Sequence, residues 1–395
     1  MILALVAALA LSGPADEIRR AECSLVPPES LQLGGYTERG SKTSVPGGDD
    51  LKCRVFYFSR TGSAVVSLEM LTVPESLYQE VTKRTGVHLF MSATHTHCAP
   101  DSQMLNSRMT LNIPGIANFK QRWLDWYTDK IVGCIEAARK APAEEIKSWS
   151  MASFNVGMNR GRRKGAVPSP LMRVLYLNGK PLLSNYSAHP VNYGAETLTL
   201  QSDWPGTLME RTGMISFPGA LGDVSPNFGD GTPAEKVDRF VTKVQGLIAA
   251  PKPSQILSLR PGFNIGLYPF VAPPAVPHPN FAKTNRIPDV LAKLTVAKFA
   301  PHWMQLTTIA IGNKLVIVGV SGEPTSELGR SIETEMRKQG YSQVWVVAHV
   351  NGWAGYMLEP DDYDRGGYEA ELSFYGRDER KAILEGLRRF GELTP

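Results

Sequence analysis

The sequence predicts a mixed α/β (α+β) fold, with a largely antiparallel β-sheet core flanked by helices. Apolar residues recur at helical spacing in several segments, short apolar runs with strand character alternate with these segments, and two pairs of runs are joined by Asn-Gly or Gly-Asn turns. The 395 residues are 43% apolar and 20% charged, a composition that buries a sizeable core. Length alone allows about two or three domains; with no repeat or low-complexity segment in the sequence, residues 16–395 read as one domain.

Residues 2–11, "ILALVAALAL", are too short to span a bilayer and match the apolar region of a signal peptide, with "SGPA" offering a cleavage point near Ala15. The basic residues that usually precede such a region are missing, so a misassigned start or a short buried element is the competing reading. Taken as a signal peptide, residues 1–15 predict a secreted or periplasmic protein. Of the four cysteines, Cys23 and Cys53 could pair in such a compartment, although sequence cannot fix connectivity, and Cys134 sits inside a helical pattern. No C-x-x-C spacing occurs, which excludes a zinc ribbon or redox motif.

Along the chain, "VHLFMSAT" and "QVWVVAHV" read as buried strands. Phe119, Trp123, Tyr127, Ile131 and Ile135 step by four through one long amphipathic helix. Val237, Phe240, Val241 and Val244 mark a second. In a third, Pro324 stands near the start, Leu328, Ile332 and Met336 form one face, and Gly340 follows the end. "RVLYLNGKPLLSNYS" and "TTIAIGNKLVIVGV" read as hairpins. The proline-rich stretch from Pro261 to Pro288 is expected to be irregular, either a lid-like surface loop or a linker, because proline removes backbone donors.

A net charge of +4, from 42 basic and 38 acidic residues without long blocks, gives no indication of nucleic-acid binding. The densest basic cluster, "NRGRRKG" at 159–165, reads as a solvated loop.

Polar residues suited to zinc chemistry gather where apolar strands give way to loops. His95 and His97, two apart, point to the same side of an extended backbone; His189, Glu323 and Tyr356 follow other strands. Imidazoles and a carboxylate form a donor set that suits Zn²⁺ with an open position for water. Read singly, each histidine is equally a hydrogen-bonded structural residue and Glu323 a helix cap. In "GALGDVSPN", Ser225 and Asp223 occupy a tight turn that lacks the G-x-S-x-G pattern of a nucleophile elbow.

In order along the chain, "SATHTHCAP", "MNRG", "NYSAHPVNYG", "SDWPG", "GALGDVSPN", "SGEPTSELGR" and "HVNGWAGYMLEPDDY" resemble the amino-terminal catalytic domain of the neutral ceramidase family, from about residue 30 to the end. The resemblance implies a zinc amidase that splits the N-acyl bond of ceramide into a fatty acid and sphingosine. It implies zinc ligands at His95, His189, Glu323 and Tyr356, a proton-transferring His97, and a substrate-side Arg160. It also implies an essential Ser225 beside Asp223, acting as nucleophile or as anchor for a substrate hydroxyl. Cys98-Ala99-Pro100 replaces the family's Ser-Gly-Pro, Leu221 replaces a glutamine, and the segment Glu359 to Tyr363 also departs from the pattern. The family's carboxy-terminal immunoglobulin-like domain is expected to be absent. The expected partner is a ceramide-like lipid met at a membrane surface. Competing readings are hydrolysis of another amide or ester on the same fold and a non-catalytic scaffold.

Overall fold

Three units of the same topology follow one another in the computed structural model, which describes residues 16–393. The expected signal peptide lies outside the described residues. The first unit comprises β1 (Glu17–Ser24), β2 (Lys52–Phe58), β3 (Ser63–Leu68), α1 (Glu75–Thr85), β4 (His88–Ala93) and α2 (Gln121–Lys140). The second comprises β5 (Trp149–Asn155), β6 (Leu171–Leu177), β7 (Lys180–Tyr186), α3 (Asp203–Thr212), β8 (Ile215–Pro218) and α4 (Pro233–Ala249). The third comprises β9 (Phe263–Val271), β10 (Trp303–Ile311), β11 (Leu315–Val320), α5 (Ser326–Lys338), β12 (Gln343–Val347) and α6 (Asp378–Leu393).

In each unit three antiparallel strands are joined, through one helix, to a fourth strand that lies parallel to the third. The sequence reads as free of repeats because what repeats is topology, not residue identity. The mixed sheets match the expected α/β class.

Strand alternation explains how the sheets pack. Successive side chains face opposite sides, so Val65 and Phe90 point to a central core while Val66, Leu89 and Met91 point outward to α1 and α2. Phe217 and Leu175 from the second sheet, and Ile309, Ile317 and Trp345 from the third, enter the same central core. Each outer face is covered by its unit's own helices. The predicted stripes do this: Trp123, Tyr127, Ile131 and Ile135 are buried in the first unit, Val237, Phe240, Val241 and Val244 in the second, and Leu328, Ile332 and Met336 in the third. Thr232 and Glu235 form a capping box at the start of α4.

Both hairpins form as read. Asn178 and Gly179 take left-handed φ of 51° and 78° between β6 and β7, which a type I′ turn requires. The proline-rich stretch is a correction: Phe263–Val271 is a nine-residue strand. Pro269 is tolerated because β9 is an edge strand, where a missing donor breaks no inner ladder. Only the segment after Val271 runs irregularly, to the short helix Phe281–Thr284. Cys23 and Cys53 are cross-strand partners on β1 and β2, and all four thiols are free. No described helix is long and apolar enough to cross a membrane.

Candidate metal centre and aromatic cavity

The three units deliver side chains to one point from equivalent places. Three residues beyond the third strand stand Leu71, His189 and Glu323; two residues beyond the fourth stand His95, Ala220 and His349. His95, Glu323 and His349 have ligand-capable atoms within 4.8 Å of one another, as do His95, His97 and His189.

Backbone carbonyls fix the imidazoles. His95 Nδ1–H donates to Leu71 at 2.8 Å and His189 Nδ1–H donates to Val224 at 2.9 Å. This tautomer leaves neither Nε2 protonated, with the two lone pairs 3.5 and 3.3 Å from Glu323 Oε2. His189 Nε2 and Glu323 Oε2 are buried and make no hydrogen bond. Trp353 Nε1–H donates to the other carboxylate oxygen at 3.0 Å and sets its orientation. Lone pairs facing one another in a buried site repel unless a cation lies between them, and neutral imidazole with carboxylate is a zinc donor set. The residues therefore fit a metal ion.

Electrostatics agree. Burial, reinforced by Arg162, lowers the His189 imidazole to about 4. Burial, with His95 and His189 adding to it, holds His97 well below its ordinary value. Burial works against charge on Glu323; positive charge facing it from His95 first, then His189 and His349, would hold its carboxyl well below the usual range, and with these imidazoles neutral a bound cation is the charge that would take that part. Tyr356 pairs directly with Glu323 across the two-residue parallel strands Glu323–Pro324 and Tyr356–Met357. Burial, then the Glu323 charge, raises its phenol well above normal.

His97 lies above the cluster, its Nε2 3.3 Å from His95 Nε2. It is held by the edge of Tyr36 at 4.9 Å and by Gly35, where a Cβ would stand 2.6 Å from the ring. Buried Arg39 donates to the carbonyls of Gly34, His97, Gly194, Ala195 and Thr197, tying this loop to the segment after His189. Its guanidinium also lies 3.2 Å from Cys98 Sγ. Burial pushes that thiol up to about 11, so Cys98 is not a ready thiolate.

The cavity over the centre, of about 160 Å³, is lined by His95, His97, Glu323 and Tyr356 and walled by Phe281, Phe299, Trp353, Tyr368, Leu372 and Phe374. The proline-rich stretch thus contributes Phe281 to the wall.

Ser225, Asp223 and Arg160 do not line this cavity. Asp223 Oδ1 accepts from the backbone N–H and the hydroxyl of Ser326, both at 2.7 Å, at the start of α5. Ser225 is buried opposite the exposed Arg160 on paired short strands, Val224–Pro226 and Asn159–Gly161. Arg162, two residues on, is also absent from the cavity lining, but it pairs with Glu369 at 3.3 Å and lies close enough to Tyr356 and Glu323 that they, with Glu369, favour its charge against burial.

Sequence reading missed Arg162, Trp353 and His349. Arg162 was hidden in a basic run. His349, which ends one quoted strand and opens a quoted family-like piece but was assigned no role, carried the same signal as His95, a histidine just past an apolar strand.

No family model matches the chain, and no curated protein matches it by sequence. Among solved structures, the crystal structure of neutral ceramidase from Pseudomonas aeruginosa superposes with a TM-score of 0.76 at 16% identity, covering 95% of this chain and 73% of that one. A ceramidase complexed with C2 superposes with a TM-score of 0.75 at 14% identity, over 95% and 74%. At this similarity the comparison speaks to architecture: the chain has a neutral-ceramidase-like fold.

Proposed function

We propose that the protein is a zinc-dependent amidohydrolase that cleaves the N-acyl bond of ceramide or a related N-acyl lipid, releasing a fatty acid and an amine. The carrying observation is the convergence of buried, unpartnered His189 Nε2 and Glu323 Oε2 with His95 Nε2 at the base of an aromatic cavity. His95, His189, Glu323 and Tyr356 would hold the ion. Bound zinc supplies a Lewis acid and lowers the pKa of a water from about 15.7 to about 7.

The chain's own residues do the rest. His97, kept neutral by burial, takes a proton from the attacking water at Nε2 and returns it to the leaving amine nitrogen. Arg162 stands beside Tyr356 and supplies positive charge for the developing oxyanion, the part that the family resemblance assigned to Arg160. Ser225 and Asp223 act through position. The carbonyl of Val224, between them, accepts both the backbone N–H and the Nδ1–H of His189, while Asp223 anchors the helix that follows Glu323. Phe281, Phe299 and Phe374 offer an apolar wall to an acyl chain and exclude water. The ceramidase-like fold supports the lipid substrate, and the signal-peptide-like residues 2–11 support action in the secreted or periplasmic compartment.

The test is release of fatty acid from a fluorescent short-chain ceramide by protein starting at residue 16, with His95→Ala in parallel. Hydrolysis by the wild type and none by the variant is expected. A zinc-loaded, folded wild type that leaves ceramide intact while cleaving another amide or ester would contradict the substrate assignment.

A further inference from the structure

His349 occupies in the third unit the place that His95 occupies in the first. Each stands two residues beyond the fourth strand of its unit, and each takes a left-handed backbone conformation, with φ of 68° at His95 and 56° at His349. That conformation is uncommon outside glycine. Their rings stack at 4.1 Å between centroids, 19° from parallel. His349 is fully buried, and neither of its ring nitrogens has a hydrogen-bond partner. A buried imidazole with both nitrogens unpaired is anomalous, because native interiors pair their polar groups. A ligand-capable nitrogen of His349 lies within 4.8 Å of the donor atoms of both His95 and Glu323.

We propose that His349 is a further ligand of the metal centre, additional to His95, His189, Glu323 and Tyr356. The proposal rests on the metal reading of the centre given above. A ring that served only to pack against His95 would gain nothing from two buried nitrogens, and an apolar side chain of similar size would fill the space without the desolvation penalty. Metal ligation gives one of the two nitrogens a partner, with the ring tilting out of its stack on His95 to aim that nitrogen at the ion.

The test uses the full chain with two variants. His349→Leu removes the donor while keeping bulk. His349→Asn suits the left-handed backbone, which asparagine tolerates, and keeps the test open if the leucine variant does not fold. Zinc content after dialysis, zinc affinity by chelator competition, and the intensity of the cobalt(II) visible bands, which reports coordination number, are compared with the wild type. Expected is loss of a zinc equivalent, or affinity weakened tenfold or more with a changed cobalt spectrum, in variants whose circular dichroism is unchanged. Unaltered zinc content, affinity reduced by less than tenfold and an unchanged cobalt spectrum would overturn the role of His349 alone. A folded wild type that binds no zinc would instead overturn the metal reading itself.

Discussion

At the scale of single residues, a few buried groups decide what the site can do. His95, His97, His189 and Glu323 were legible in the sequence because each is a polar, metal-capable residue just past an apolar run. Arg162 was not, because only the three-dimensional path of the loop separates it from Arg160. Arg162→Ala is therefore expected to lower kcat by at least tenfold, more than Arg160→Ala does, in the ceramide assay. Asp101 lines the same cavity. Burial raises its carboxyl from 3.8 to about 6, although the N–H groups of Ala117 and Gln103 favour the charge. Its folded pKa thus lies above the unfolded one, so the folded state holds the extra proton between about pH 4 and 6. The stability that this proton confers is complete below that window and falls as pH rises through it, by about 3 kcal/mol. In Asp101→Asn, unfolding midpoints measured across pH 4–6 should lose this part of the slope; an unaltered slope would assign it to another group.

Elements carry their own predictions. The β6–β7 hairpin was readable because an Asn-Gly pair dictates its turn, whereas β9 was not, since prolines mask a strand that tolerates them only at a sheet edge. At Gly179, φ is 78° and nothing lies within 4 Å of where a Cβ would be, so Gly179→Ala should cost only the left-handed penalty, about 1–2 kcal/mol, with activity unchanged. Gly35 differs: its φ is 89°, and an added Cβ meets the His97 ring. Gly35→Ala should displace that ring, lowering kcat while zinc stays bound. Lost zinc with intact turnover per bound ion would contradict the placement of His97 outside the ligand set.

For the whole molecule, three sheets share one central core, and the candidate metal centre gathers loops from all three units. The threefold topology was invisible in the sequence because equivalent positions mostly carry different residues: Leu71, His189 and Glu323 at one, and at the other His95, Ala220 and His349, where only the histidine recurs. A shared core predicts one cooperative transition, with fluorescence and circular dichroism coinciding. Trp345→Ala, which empties part of that core, should destabilise the whole chain by about 3–5 kcal/mol rather than unfold one unit. The most direct measurement is the metal content of the purified chain beside His189→Ala and Glu323→Gln. Expected are at least one zinc equivalent in the wild type and depletion in both variants, each still folded. A folded wild type free of zinc, or variants that retain it in full, would contradict a metal centre built on His189 and Glu323.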